Sequence, residues 1–149
     1  MKKFTFKLAP LMKYRQYQER VAQQKTARAH QDVKESEQTI ARLEKTLEDQ
    51  LQALDTAAKE GVDASRFQQH YQYMVSVESD IDMAHDHKKQ LKAILKKRLV
   101  ELKQKSVEKR AMELYHDRLK NEYIKEMGLA EQKELDEIVT LKTARKRIS

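Results

Sequence analysis

The sequence predicts an all-α protein: a long two-helix antiparallel coiled-coil hairpin with a short C-terminal helical tail. Three observations carry this expectation. The 149 residues include two Gly and one Pro, where average usage gives roughly ten and seven. Chains turn at Gly and Pro, so the many tight turns of a sandwich, a barrel or a βαβ series are excluded. Charged residues are 37% and aromatics 6%, which leaves too few large apolar side chains for a thick core. The charge sits on Lys, Glu, Arg and Asp beside Leu, Ala and Gln, mostly good helix formers. Finally, Val33, Ile40, Leu47 and Leu54 recur every seven residues, the spacing of a coiled-coil seam.

These features predict one coiled-coil domain over residues 1–149. The first helix covers about 10–59, a turn about 60–64, the second helix about 65–127 and a tail helix about 131–147. Pro10 suits a first helical turn, where its missing N–H costs little. Ser36, Leu43, Gln50 and Ala57 occupy the alternate seam positions. Upstream, Leu11, Tyr14, Tyr17 and Val21 are read as the continuing stripe, weak between Ala22 and Ala29.

Gly61 can adopt the left-handed conformation that closes a helix. Asp63 is a good N-cap for the next one, with Val62 and Phe67 as its hydrophobic staple. Ser65 with Gln68 offers a competing capping box. A connection this short makes the two helices antiparallel neighbours.

The second helix is read with a stripe through Phe67, Tyr71, Met74, Val77, Ile81, Ala84, Lys88, Leu91, Leu95, Leu99 and Leu102. Met112, Tyr115, Leu119 and Tyr123 extend it more loosely, and Gly128 is expected to break the helix. Leu135, Ile138 and Leu141 share one face of the tail. At 1.5 Å per residue the helices are roughly 70 and about 90 Å long, so the second overhangs near the termini. The hairpin is expected to fray there and to be firmest near the turn.

The net charge of +7 is zoned. Residues 1–28 carry +7, residues 29–87 carry −8 and residues 88–149 carry +8. A reversal at Gly61 brings the two basic arms to one end and leaves the other acidic, a polarity that matters for partner choice.

Little chemistry is written in the chain. There is no Cys, hence no disulfide framework or thiolate metal site. Lys7 and Pro10 interrupt the apolar run that a signal peptide needs, and no stretch approaches 18 apolar residues. A phosphate-binding loop and a nucleophile motif are both missing. Asp82, His85 and Asp86 share a helix face, with His87 adjacent, and that spacing suits a divalent ion. A solvated helix face is the plainer account, because two helices offer no cavity to close a coordination shell. Lys88-Lys89 and Lys96-Lys97-Arg98 would attract phosphates, but acidic residues interrupt the basic arms and no nucleic-acid-binding motif is present. Phe67, Tyr71 and Tyr73, with Met74 and Val77, form a patch too wide for one seam, which predicts exposed aromatic surface for a protein partner.

The chain resembles the flagellar FliJ family over most of its length. The likeness is carried by the opening Phe4-Thr5-Phe6-Lys7-Leu8-Ala9-Pro10-Leu11-Met12-Lys13-Tyr14-Arg15. The Gly61 turn, followed by Ser65-Arg66-Phe67, Tyr71, Tyr73, Val77 and Ile81, adds to it. So does the ending Glu131-Gln132-Lys133-Glu134-Leu135-Asp136-Glu137. The resemblance implies a non-enzymatic component of the flagellar type III export apparatus, with no cofactor and no small-molecule substrate. It implies a stalk-like hairpin, monomeric, that inserts its helical arms in the export ATPase hexamer and promotes ring assembly. It also implies contact near the hairpin with the cytoplasmic domain of the export gate FlhA, and escort of export chaperones. The implied location is cytoplasmic, at the inner membrane beneath the flagellum.

By position, the resemblance places gate binding at Leu43, Phe67, Tyr71, Tyr73 and Val77. It places ATPase binding among Lys13, Arg15, Arg20, Arg28, Lys105, Arg110, Arg118 and Lys120. The alternatives are a YscO-type injectisome stalk, a self-dimerising export chaperone or scaffold, and a basic coiled coil that binds nucleic acid.

Overall fold

The structure, a computed structural model, describes residues 2–148. It contains two helices, α1 over Ala9–Glu60 and α2 over Ala64–Ile148, of 52 and 85 residues. No strand occurs among the described residues. The expected all-α hairpin is what the chain forms.

The first helical bond of α1 runs from the Met12 N–H to the Leu8 carbonyl, 2.9 Å, so Pro10 lies in the first turn as its chemistry prefers. At the other end Gly61 has φ +79°. The Val62 N–H donates to the Ala57 carbonyl at 3.2 Å, the six-to-one bond of a Schellman closure. Asp63 caps α2, its carboxylate accepting from the Arg66 N–H at 2.9 Å. The Asp63 cap prevails over the Ser65–Gln68 box, since Ser65 is already inside the helix.

The helix does not break at Gly128. It runs unbroken to Ile148, and the positive φ at Gly61 has no counterpart at Gly128. A lone Gly in a helix costs only about 1 kcal/mol against Ala. With no Pro or capping residue after it, and with Leu129, Ala130 and Glu131 all favouring helix, that cost does not stop propagation.

The chain divides into two compact units, residues 2–19 with 105–148, and residues 20–104. In the second unit the helices run antiparallel. Thr26 reaches Arg98, Glu37 pairs with Lys88 at 3.5 Å and Glu44 lies 4.0 Å from His85. Its buried positions on α1 are Ala22, Thr26, Ala29, Val33, Ser36 and Ile40, spaced by threes and fours, and Ala57 near the turn. Small residues dominate this stretch, which lets the backbones approach. The Thr26 hydroxyl donates to the Ala22 carbonyl at 2.8 Å and lies 3.3 Å from the Arg98 carbonyl on α2. Tight packing therefore lies around residues 22–40 rather than beside the turn, where Leu51 and Phe67 are exposed.

Two stripes differ from expectation. Upstream, Leu11, Tyr14 and Tyr17 are exposed, and the seam passes through Met12, Arg15, Glu19 and Ala22. On α2, His70 takes the place expected for Phe67 or Tyr71, and Arg98 that of Leu99. A coiled coil keeps strict seven-residue spacing; Leu11, Tyr14, Tyr71 and Leu99 sit one position off it and Tyr17 two, whereas Phe67 keeps the register of Met74 and is exposed at the start of α2.

In the first unit, Arg15 pairs with Glu108 at 2.9 Å and Lys109 with Glu19 at 2.8 Å. The segment before α1 is tied down instead of fraying. Phe4 and Phe6 pack edge-on against His116, with ring centroids 5.6 and 5.0 Å away. Phe4 also meets Tyr123 and Phe6 meets Tyr115. The Tyr123 hydroxyl donates to the Lys2 carbonyl. Beyond Met127 every described residue of α2 is exposed.

Candidate functional site

The first turns of α2 carry the aromatic patch. Asp63 starts the helix, and four-residue steps place Phe67, Tyr71 and Val75 along one flank of the seam. Tyr73 falls on the other flank. Phe67 is 42% exposed, Tyr71 52% and Tyr73 50%, so three large rings face solvent within two turns. Val77 is 4% exposed. It lies in the seam and offers no side chain to a partner. Leu43 is half-buried and lies apart from the rings. Its neighbour Glu44 faces His85, and His85 is about 27 Å from Phe67 along α2 at the helical rise. The structure thus groups Phe67, Tyr71 and Tyr73, and separates Leu43 and Val77 from them.

The basic candidates sort by what they touch. Arg15 is engaged by Glu108, and Lys105 approaches the same carboxylate at 3.6 Å. Arg28 pairs with Asp32 and Arg110 with Glu113, each at 3.4 Å along its own helix. The Arg118 guanidinium lies 5.2 Å from the centre of the Tyr115 ring, a cation–π contact. Lys13, Arg20 and Lys120 are exposed and make no ion pair among the described residues. The unit holding Lys13 and Lys120 contains sixteen Lys/Arg and ten Asp/Glu, net +6. The other unit has fifteen against fourteen.

The Glu19 carboxyl is held below its usual range. The Lys109 hydrogen bond is the main cause and a bond from Ser106 adds to it, against the opposing effect of burial. The same bond raises the Lys109 ammonium. These groups pin the seam and do not resemble an acid–base pair facing a substrate. Around Asp82, His85 and Asp86 no group arranged to hold a metal ion occurs among the described residues.

Sequence reasoning missed the clasp of Phe4 and Phe6 on α2. Phe4, Phe6, Leu8, Tyr115, Leu119 and Tyr123 are the apolar lining of a groove of about 350 Å³. The signal was present as the alternation Phe4-Thr5-Phe6-Lys7-Leu8, which puts apolar side chains on one side of an extended segment.

A family model described as Flagellar FliJ protein matches residues 4–147. The chain belongs to the FliJ family. Membership implies a component of the flagellar export apparatus, a structural one rather than a known enzyme. No curated protein matches the FliJ-family chain, and no solved structure does. No described helix is long and apolar enough to cross a membrane.

Proposed function

We propose that this FliJ-family chain works as a stalk-like coupling element of flagellar export. Its basic surface binds the export ATPase hexamer and favours ring assembly. Its aromatic patch binds the cytoplasmic domain of the export gate FlhA, and export chaperones are escorted by the same chain. It acts at the cytoplasmic side of the inner membrane, held there through its partners. The family match over residues 4–147 carries this reading. It favours the flagellar system over the injectisome alternative.

Two further observations support it. The net +6 of residues 2–19 with 105–148 suits an acidic ring lumen, and charge of one sign steers association. Phe67, Tyr71 and Tyr73 are exposed rings of the kind that anchor interfaces. Lys13 and Lys120 are the better residues for an electrostatic contact, because Arg15 and Arg118 already have partners inside the fold.

The test is capture of the purified export ATPase by the full chain across a salt series. The Lys13→Glu/Lys120→Glu variant should bind more weakly, and the difference should shrink as salt rises. Equal binding by both proteins at every salt concentration removes the electrostatic assignment.

A further inference from the structure

We propose that the tail of α2 is a self-association surface, pairing antiparallel with the same tail of a second copy. The tail is uncovered. Every residue from 131 to 148 is exposed, with Leu135 62%, Ile138 49% and Leu141 64% accessible. Among the described residues none packs over it; the segment before α1 stops further back, where Tyr123 meets Lys2.

The exposed face is continuous with the seam that α1 covers further back. From Met127, steps of four and three lead through Glu131, Glu134, Ile138, Leu141, Arg145 and Ile148. On this face Ile138, Leu141 and Ile148 are apolar, as at the seam of a coiled coil, and Glu131, Glu134 and Arg145 are charged.

The charges say which helix. Residues 131–137 carry four acidic groups and one basic, whereas residues 138–148 carry four basic and no acidic ones. An antiparallel second copy centred on Val139 and Thr140 sets each acidic half against a basic half. It places Ile138 against Leu141 and Glu134 opposite Arg145. A parallel copy would stack like on like. The same polarity repels a uniformly charged partner along half the tail.

The tail is about 27 Å long, so the contact falls below the area of a standard interface and is weak and reversible. Since the helix is already propagated from α2, pairing carries no nucleation cost. The chain is therefore a monomeric hairpin when dilute and a dimer when concentrated.

Sedimentation equilibrium of the full chain tests this. The weight-average mass should rise from 17.7 kDa toward twice that with concentration, and fall back when salt is added. Two charge variants sharpen the test. Glu131→Lys/Glu134→Lys/Glu137→Lys and Lys142→Glu/Arg145→Glu/Arg147→Glu should each stay monomeric. Their equimolar mixture should associate, since each supplies the charge the other lacks. Helical content by circular dichroism confirms that both are folded, and Ile138→Gln, which leaves the charge unchanged, should also weaken association. A wild-type chain that stays monomeric at every concentration overturns the proposal. So does a triple variant that dimerises alone as the wild type does, or a mixture that fails to associate.

Discussion

Lys109 on α2 donates a 2.8 Å hydrogen bond to Glu19 on α1, and Glu19 is 8% exposed. A charge pair therefore occupies a seam position where a coiled coil usually places an apolar residue. Its effect on stability has a definite sign. Glu19 is held below its ordinary 4.5, so its contribution is present above that value and lost as pH falls through the lower folded one. Lys109 is held above its ordinary 10.5, so its contribution is present below that value and lost as pH rises through the higher folded one. Thermal unfolding followed by circular dichroism should show the wild-type Tm dropping as pH falls below 4.5. Glu19→Gln should start lower at neutral pH and drop less on acidification.

The turn depends on two residues with different jobs. Gly61 has φ +79° and open space where a Cβ would stand, so Gly61→Ala suffers backbone strain alone, about 1 kcal/mol. Asp63→Ala removes the cap on Arg66 and should also cost about 1 kcal/mol. Urea titrations should show both midpoints lowered. Gly128→Ala should move the other way by about 1 kcal/mol, because Gly128 is helical and unobstructed.

Close approach around Thr26 makes bulk costly there. Ala29 is 4% exposed, and Ala29→Leu must push the helices apart, at about 1–3 kcal/mol. Ile40→Ala, at a buried large seam position, should cost about 2 kcal/mol through the cavity it leaves. Chemical denaturation of each variant gives both figures. A neutral Ala29→Leu would contradict the close-packed seam.

Much of this was legible in the sequence. The heptads from Val33 to Ala57, the reversal at Gly61 and the Asp63 cap follow from spacing and turn chemistry. Periodicity was the better guide wherever it disagreed with hydropathy. Extending the same heptads upstream reaches Glu19, Ala22, Thr26 and Ala29, which are the buried residues. Following apolar identity led to Tyr14 and Tyr17, which face solvent. Hydropathy failed there because two helices bury a strip only one side chain wide, and buried Thr26 and Glu19 are satisfied by hydrogen bonds. The exposed rings at Phe67, Tyr71 and Tyr73 were readable from their width around the helix. The isolation of Leu43 was not, because position along a second helix depends on pairing register.

The clasp at the start of the chain has its own readout. Phe4→Ala/Phe6→Ala removes the ring contacts to His116, Tyr115 and Tyr123. Each aromatic pair is worth about 0.5–1.5 kcal/mol. Proteolysis near Lys2, Lys3 and Lys7 should accelerate while helical content is preserved. Unchanged cleavage would mean that the rings do not hold this segment.

The central claim is that the chain joins two partners through separable surfaces. Titration calorimetry with the cytoplasmic domain of the export gate tests it most directly, using the wild type and Phe67→Ala/Tyr73→Ala. The variant should lose about tenfold or more in affinity, while its binding to the export ATPase stays at the wild-type level. Wild-type affinity for the gate in the variant, or an equal loss of both affinities, would contradict the account.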